Sequence, residues 1–233
     1  MPRVRAAPDA RSGTTPLRSA AMKRPLLLLL ALVALATSQA HANPGAGAKP
    51  SLDSAKAPIA AFYAALDASM KADDTLSFEA RRAQLAPVIG KTFDLPLMAA
   101  KVLGRHWRTL PLAEQKRWIA AFSGLTVKTY TEQFDEDSGL VFELGVVQAA
   151  PGGTALVRTK LKRANDAPVA IDYRLHPEGA SWRIMDIFLN GTVSELALRR
   201  SEYSSVLERD GFEKLVTTLQ NRSLVPASAK GGR

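Results

Sequence analysis

The stretch VAIDYRLHPEGASWRIMDIFLNGTVSELALRRSEY, residues 169–203, decides the fold that we expect. Apolar and polar residues alternate over residues 169–176, which is the period-2 pattern of a strand with two unlike faces. Residues 182–189 are apolar on both faces and predict a second, more deeply buried strand. The intervening HPEG, residues 176–179, holds the Pro and Gly that favour a reversal of the chain. The stretch therefore predicts an antiparallel hairpin.

Along the chain, the hydrophobic pattern predicts helices before and after the strands of a small sheet. Thr192 and Glu195 have the spacing of a capping box, so we expect a helix to begin there. The predicted strands span residues 140–148, 154–163, 169–176 and 182–189. The predicted helices begin near residue 55, span residues 78–89, 93–103 and 111–134, and resume over residues 193–209 and 211–222. This order predicts an α+β fold, a four-stranded antiparallel sheet covered by N- and C-terminal helices.

The first 42 residues predict a secretory signal peptide. A basic start at Met22 precedes an apolar run over residues 25–36 and the small-x-small sequence AHA at residues 40–42. We expect cleavage after Ala42, export to the periplasm, and an N-terminal extension over residues 1–21. The remainder predicts a flexible leader (43–54), a single domain (55–222) and a disordered tail (223–233).

Charge and cysteine content narrow the class of protein. The full chain has a formal net charge of +9, but residues 1–42 contain six basic residues and one acidic residue, so the rest carries +4. That mild excess does not favour nucleic-acid binding. The chain has no cysteine, so disulfides, thiol nucleophiles and cysteine metal sites are excluded. We expect a core-stabilised bacterial periplasmic protein.

No catalytic motif stands out. The sequence has no nucleophile elbow, phosphate loop or metal-ligand spacing, so we expect no catalytic residue, metal or cofactor. His106 is interpreted as a packing or surface residue, and His176 as an exposed turn residue. Asp172 and Asp186 lie on predicted strands, where a buried carboxylate needs a partner.

The two aspartates allow two interpretations. In the structural one, Asp186 pairs with an arginine such as Arg174, Arg105 or Arg199, and Arg174 on the neighbouring strand is our choice. In the alternative one, Asp172 or Asp186 is the general base of a pocket enzyme.

The basic pair Arg199-Arg200 lies on the predicted helix that follows the hairpin. Such a pair is ordinarily a solvated face, but it can also dock on an anionic headgroup or an acidic partner. We take it as a candidate partner-docking site, which leaves open a protein-interaction module as a further alternative.

Several segments, in this order and spacing, resemble the MlaC family of periplasmic lipid-binding proteins, also known as toluene-tolerance components. They are LGRHWR (103–108), EQKRW (114–118), AF (121–122), TY (129–130), VAIDYRL (169–175), WRIxDI (182–187), NGxxS (190–194) and RRSEY (199–203). The ending SELALRRSEYSSVL resembles the hopanoid-associated HpnM branch.

The resemblance implies a monomeric carrier with an apolar cavity between sheet and helices. It would bind phospholipid or hopanoid and exchange it with inner- and outer-membrane transport complexes of the ABC-transporter type, without covalent chemistry. The residues that we expect to line the cavity are Phe93, Leu97, Val102, Trp107, Phe122, Leu125, Val157, Tyr173, Ile187 and Leu189.

Overall fold

The computed structural model describes residues 49–72, 75–135, 139–163 and 166–224. The predicted signal peptide, the first half of the predicted leader and most of the predicted tail lie outside the described residues. The last part of the leader is structured, because Leu52–Ala55 forms a 3₁₀ turn and Ala55 is fully buried.

The helices follow the hydrophobic periodicity closely. They are α1 (Lys56–Lys71), α2 (Phe78–Thr92), α3 (Leu95–Leu103), α4 (Leu112–Gln133) and α5 (Glu195–Leu224), with a 3₁₀ segment at Gly104–Thr109. Side-chain caps set two of the starts: Ser77 accepts a hydrogen bond from the Ala80 amide, and Asp94 from the Leu97 amide. Helix α5 is broken at Gly211, whose φ of 82° leaves the helical region, so it consists of two helical parts as predicted.

The sheet is an antiparallel meander in the order β1-β2-β3-β4-β5. Its strands are β1 (Val141–Ala150), β2 (Thr154–Lys162), β3 (Val169–Glu178), β4 (Ser181–Leu189) and β5 (Val193–Ser194). The prediction of four strands is therefore wrong by one. Strand β5 has only two residues, paired with Phe188 and Leu189, and two residues are too few to show an alternating pattern.

The hairpin turn is also shorter than predicted. His176 and Pro177 continue β3 opposite Arg183 and Trp182, and the chain reverses only at Gly179 and the residue after it. Pro177 is tolerated because the pairing of β3 with β2 ends at Leu175, so no ladder bond on that side is lost. His176 is not an exposed turn residue: its Nε2 lies 2.8 Å from Asp94 Oδ2, where it ties β3 to the start of α3.

The core lies between one face of the sheet and the helices. Val157, Tyr173 and Ile187 occupy facing positions on β2, β3 and β4 and are almost fully buried. Helices α1 to α5 supply the other wall, in which Trp118 is fully buried and donates from Nε1 to the Ala99 carbonyl at 2.8 Å. Within the described part of the chain, no helix is both long and apolar enough to cross a membrane.

Candidate functional site

A cavity of about 230 Å³ lies between the sheet and helices α1, α3, α4 and α5. Most of its lining is apolar. The lining residues are Phe62, Tyr63, Leu66, Phe93, Met98, Phe122, Thr126, Thr129, Tyr130, Gln133, Phe134, Phe142, Leu161, Ile171, Tyr173, Asp186, Ile187, Leu189, Glu195, Leu196 and Arg199.

Aromatic rings pack against one another in the wall of this cavity. The Phe62 ring meets Phe93 and Tyr130 edge to face at centroid distances of 4.9 Å. The Tyr63 ring stacks on Phe142 at 4.4 Å. Rigid rings in such arrangements add to the energy of burial, so the wall is stiff where the aromatic residues cluster.

The tyrosine hydroxyls stay neutral in this setting. Burial raises the pKa of Tyr130, and the nearby Glu195 carboxylate raises it further. Burial likewise raises the pKa of Tyr173 and of Tyr63. Because the Thr159 hydroxyl donates to the Ile171 carbonyl, the Tyr63 hydroxyl is the donor in its 2.6 Å bond to Thr159.

Helix α4 contributes a stripe to the cavity, and of its residues the sequence analysis identified only Phe122. Phe122, Thr126, Thr129, Tyr130 and Gln133 recur at spacings of three and four, which places them on one helical face. The Thr126 and Thr129 hydroxyls donate to the carbonyls four residues earlier, so both expose methyl groups to the space. The signal in the sequence was this spacing, with threonines interrupting an apolar stripe.

Asp186 caps helix α5. Its Oδ1 accepts from the amides of Ile187 at 2.8 Å and Leu196 at 3.3 Å, and its Oδ2 accepts from the Ser194 hydroxyl at 2.7 Å. Ser194 in turn accepts from the Ala197 amide at 3.0 Å. The cap is therefore Ser194 with Asp186, and not the predicted capping box that began at Thr192.

The predicted ion pair between Asp186 and Arg174 is not formed. The two residues are register partners on β4 and β3, but the Arg174 guanidinium donates to the Thr154 hydroxyl and the Pro151 carbonyl. The helix cap takes up both oxygens of Asp186. The Leu196 amide at the start of α5, the Ser194 hydroxyl and the Ile187 amide on β4 satisfy the carboxylate and replace the arginine.

Asp172 and Asp186 do not share a pocket. Ile171 and Tyr173 line the cavity, so Asp172 between them points to the opposite face of the sheet. Asp172 is 2% exposed, its Oδ2 has no hydrogen-bond partner among the described residues, and its nearest cation is Arg158 Nη1 at 3.8 Å. Of the two candidate general bases, only Asp186 therefore lines the cavity, and its two oxygens accept hydrogen bonds at the cap of α5.

The predicted docking pair Arg199 and Arg200 is divided between two sites. Arg199 turns into the cavity wall, where it binds Glu195 Oε1 at 2.6 Å and lies 3.4 Å from the Tyr203 hydroxyl. Burial lowers the pKa of Arg199, but Glu195 and Tyr203 offset that effect and leave the pKa raised. Arg199 is therefore not part of an exposed face.

Arg200 is exposed and lies against a second concave surface, which we call the basic cleft. This open cleft of about 800 Å³ is lined by Ala100, Lys101, Gly104, Arg105, Trp107, Arg108, Asp186, Leu196, Ala197 and Arg200. Gly104 has a φ of 57°, and a Cβ added there would lie 2.6 Å from Arg200 Nη2. A larger residue at position 104 would displace the Arg200 guanidinium, and the positive φ by itself favours glycine there.

Half of the ten residues that we expected to line the cavity do so. Phe93, Phe122, Tyr173, Ile187 and Leu189 are in its wall. The others lie elsewhere: Val102 and Val157 are fully buried in the core, Leu97 and Leu125 are half-buried outside the cavity, and Trp107 lines the basic cleft. Helix α3 presents Met98 to the cavity in place of Leu97 and Val102, a difference of helical phase that periodicity alone does not determine.

Within the described ranges, no group of three or more His, Asp or Glu side chains is arranged to hold a metal ion. The site is thus an aromatic-walled cavity beside a basic cleft, with Asp186 and Leu196 lining both.

Residues 62–221, more than half of the chain, match the sequence profile of the MlaC family (MlaC protein). The chain belongs to the MlaC family. The resemblance of its motifs to that family is thereby confirmed, and the match covers every strand of the sheet.

A solved structure shares the fold of this MlaC-family chain. It is the phospholipid-binding protein from Ralstonia solanacearum in complex with a phospholipid, which is 23% identical with a TM-score of 0.63. The alignment covers 72% of this chain and 96% of that one. No curated protein matches the chain.

Proposed function

We propose that this protein is a periplasmic lipid carrier. It holds the apolar part of a phospholipid or hopanoid in the cavity between sheet and helices, and it passes lipid between inner- and outer-membrane complexes without covalent chemistry. The observation that carries the proposal is the enclosed cavity with eight aromatic residues in its wall. Family membership and the phospholipid-binding neighbour support it.

The energetics of lipid transfer explain why such a cavity is needed. Each buried methylene contributes about 0.8 kcal/mol, so two chains of about 16 carbons represent roughly 25 kcal/mol of exposure to water. A carrier in an aqueous compartment has to offset most of that cost with an apolar site. The rigid aromatic wall and the methyl groups of α4 provide such a surface.

The cavity of about 230 Å³ is smaller than the space that a two-chain lipid requires. Pockets for drug-sized ligands measure about 300–1,000 Å³, and a phospholipid is larger than such a ligand. Uptake of a two-chain lipid therefore requires the cavity to widen.

The identity of the lipid and the partners belong to the same proposal. Phospholipid is the first candidate because the solved neighbour carries one, and hopanoid follows from the resemblance of residues 194–207 to the HpnM branch. The carrier acts as a monomer after removal of residues 1–42. Of the two arginines assigned to partner docking, only Arg200 is exposed.

The first test is mass spectrometry of organic extracts from the purified protein. We expect about one phospholipid or hopanoid per chain. An extract without lipid, together with no uptake from labelled vesicles, would contradict the proposal.

A variant tests whether the lipid binds in this cavity. Thr129→Phe puts a ring into the space from the α4 stripe, and overpacking of this kind costs about 1–3 kcal/mol of stability. We expect a folded protein that no longer takes up lipid. Thr217→Phe makes the same change on an exposed surface of α5 and should load normally. Normal loading by Thr129→Phe would place the ligand elsewhere.

A further inference from the structure

The basic cleft contains cations that the fold itself does not neutralise. Lys101, Arg108 and Arg200 have neither an ion pair nor a hydrogen-bond acceptor in the part of the chain that the structure describes. Arg105 is the exception, since its Nη2 binds Glu208 Oε1 at 2.8 Å. Three unpaired cations around one concavity form an attractive site for an anion, since they raise its local concentration.

The Arg200 guanidinium lies against the backbone at Gly104, on the wall of the cleft. Its planar fork can donate two hydrogen bonds to a phosphate oxygen pair. The single carboxylate in the lining, Asp186, is occupied by the cap of α5.

The cleft adjoins the cavity. Asp186 and Leu196 line both spaces, so the first turn of α5 is the partition between them. Adjacent residues of α5 face opposite sides of this partition, with Arg199 towards the cavity and Arg200 towards the cleft. Trp107, half-buried in the cleft, supplies an apolar body with a polar tip, which suits the boundary between acyl chain and headgroup.

We propose that the basic cleft binds the phosphate group of the lipid whose chains occupy the cavity, with Lys101, Arg108 and Arg200 as its cationic contacts. This inference rests on the proposed function and deepens it, because it gives the carrier a means to prefer phospholipids over lipids without phosphate. A free phosphate ion has the same chemistry, and the experiment separates the two sources.

The test compares two lipids with matched acyl chains, phosphatidylglycerol and diacylglycerol. Delipidated protein is incubated with vesicles of each lipid, and the lipid bound after separation is measured by mass spectrometry. We expect the wild-type protein to prefer phosphatidylglycerol roughly tenfold, as charge-assisted contacts to a phosphate allow. The triple variant Lys101→Ala, Arg108→Ala, Arg200→Ala should lose this preference and still load diacylglycerol.

A matched control removes the same charge elsewhere. Lys91, Lys116 and Lys214 are exposed and lie outside the cleft, so their combined replacement by alanine should leave the preference unchanged. A preference that survives in the cleft variant, or that falls equally in the control, would overturn the inference. If the cleft variant keeps its preference but fails to exchange lipid with a membrane complex, the cleft is a partner-docking surface.

Two further results distinguish this inference from the proposed function. Equal loading of both lipids by the wild-type protein would overturn the cleft assignment alone, whereas loading of neither would remove the proposed function and the inference with it. Inorganic phosphate should shift the Trp107 indole resonance in delipidated protein but not in protein loaded with phosphatidylglycerol. A shift of equal size in the loaded protein would show a site for free phosphate and contradict the headgroup assignment.

Discussion

Replacement of Asp186 by alanine is the sharpest test of how the cavity wall is held together. The carboxylate accepts bonds from two amides and the Ser194 hydroxyl, and it lies at the N-terminus of α5. Loss of an N-cap costs about 1 kcal/mol, and loss of a negative charge at this end of a helix adds about 0.3–1 kcal/mol. The other hydrogen bonds that the charged carboxylate accepts are also lost, although water replaces part of them. The expected loss in the free energy of unfolding is therefore about 3 kcal/mol in total.

Asp186→Asn separates the charge from the geometry. The amide oxygen can still accept from Ile187 and Leu196, but the amide nitrogen cannot accept from Ser194. We therefore expect a smaller loss, about 1 kcal/mol, mostly from the helix dipole and the one lost acceptor. Asp53→Ala removes an exposed carboxylate and should change stability by less than about 0.5 kcal/mol.

Denaturant unfolding, with a check that the slope of the transition is unchanged, measures these differences. For a domain of this size, a loss of about 3 kcal/mol lowers the melting temperature by roughly 6–12 °C. The reasoning is refuted if the alanine variant matches Asp53→Ala, or if the asparagine variant is as unstable as the alanine variant. An ion pair to Arg174 would instead make Arg174→Ala as costly as Asp186→Ala.

The other predictions concern Gly104 and the tyrosines. Gly104→Ala should destabilise the protein by about 1–3 kcal/mol, because φ is 57° and ψ is −121° at this position and the added methyl group meets Arg200. Adding Arg200→Ala should recover only the part of this loss that comes from the steric contact with Arg200. A double-mutant cycle of denaturant unfolding measures that part. Burial raises the pKa of all four tyrosines, so their contribution to stability should be constant below about pH 10, the unfolded value, and should be lost as the pH rises through the folded values. Phenolate absorbance should therefore appear only together with unfolding, and reversible titration of any tyrosine near its ordinary pKa in the folded protein would contradict its burial.

The sequence was sufficient for most of the fold because its long elements carry strong periodic patterns. The strand at residues 182–189 and the break at Gly211 are found where a run apolar on both faces, and the division of the last helix into residues 193–209 and 211–222, indicated them. Strand β5 was missed because two residues are too few to show an alternation of apolar and polar side chains. The cap of α5 was misassigned because its decisive group, Asp186, is eight residues before Ser194 in the chain and reaches it only through the folded sheet.

The candidate site was predictable only in part, for a related reason. Hydrophobicity selects residues that are buried, but it does not distinguish a cavity wall from a filled core, so Val157 and Phe93 have the same signal and different surroundings. The basic cleft escaped prediction because α3, the segment Gly104–Thr109 and α5 supply its residues. No spacing along the chain reveals that Lys101 and Arg200 face the same space.

In the proposed carrier, the two spaces divide the recognition of a lipid. In the cavity, Glu195 binds Arg199, Asp186 caps α5, and the threonine hydroxyls of α4 bind their own helix, so apart from the Tyr130 hydroxyl and the Gln133 amide the wall offers a ligand little except apolar surface. The Tyr130 hydroxyl, which has no hydrogen-bond partner among the described residues, can bind at most one ester carbonyl. Apolar contact scales with area and discriminates poorly between chains, because one methylene is worth about 0.8 kcal/mol. Discrimination between lipid classes therefore has to come from outside the cavity, and the unpaired cations of the adjoining cleft are the groups in position to supply it.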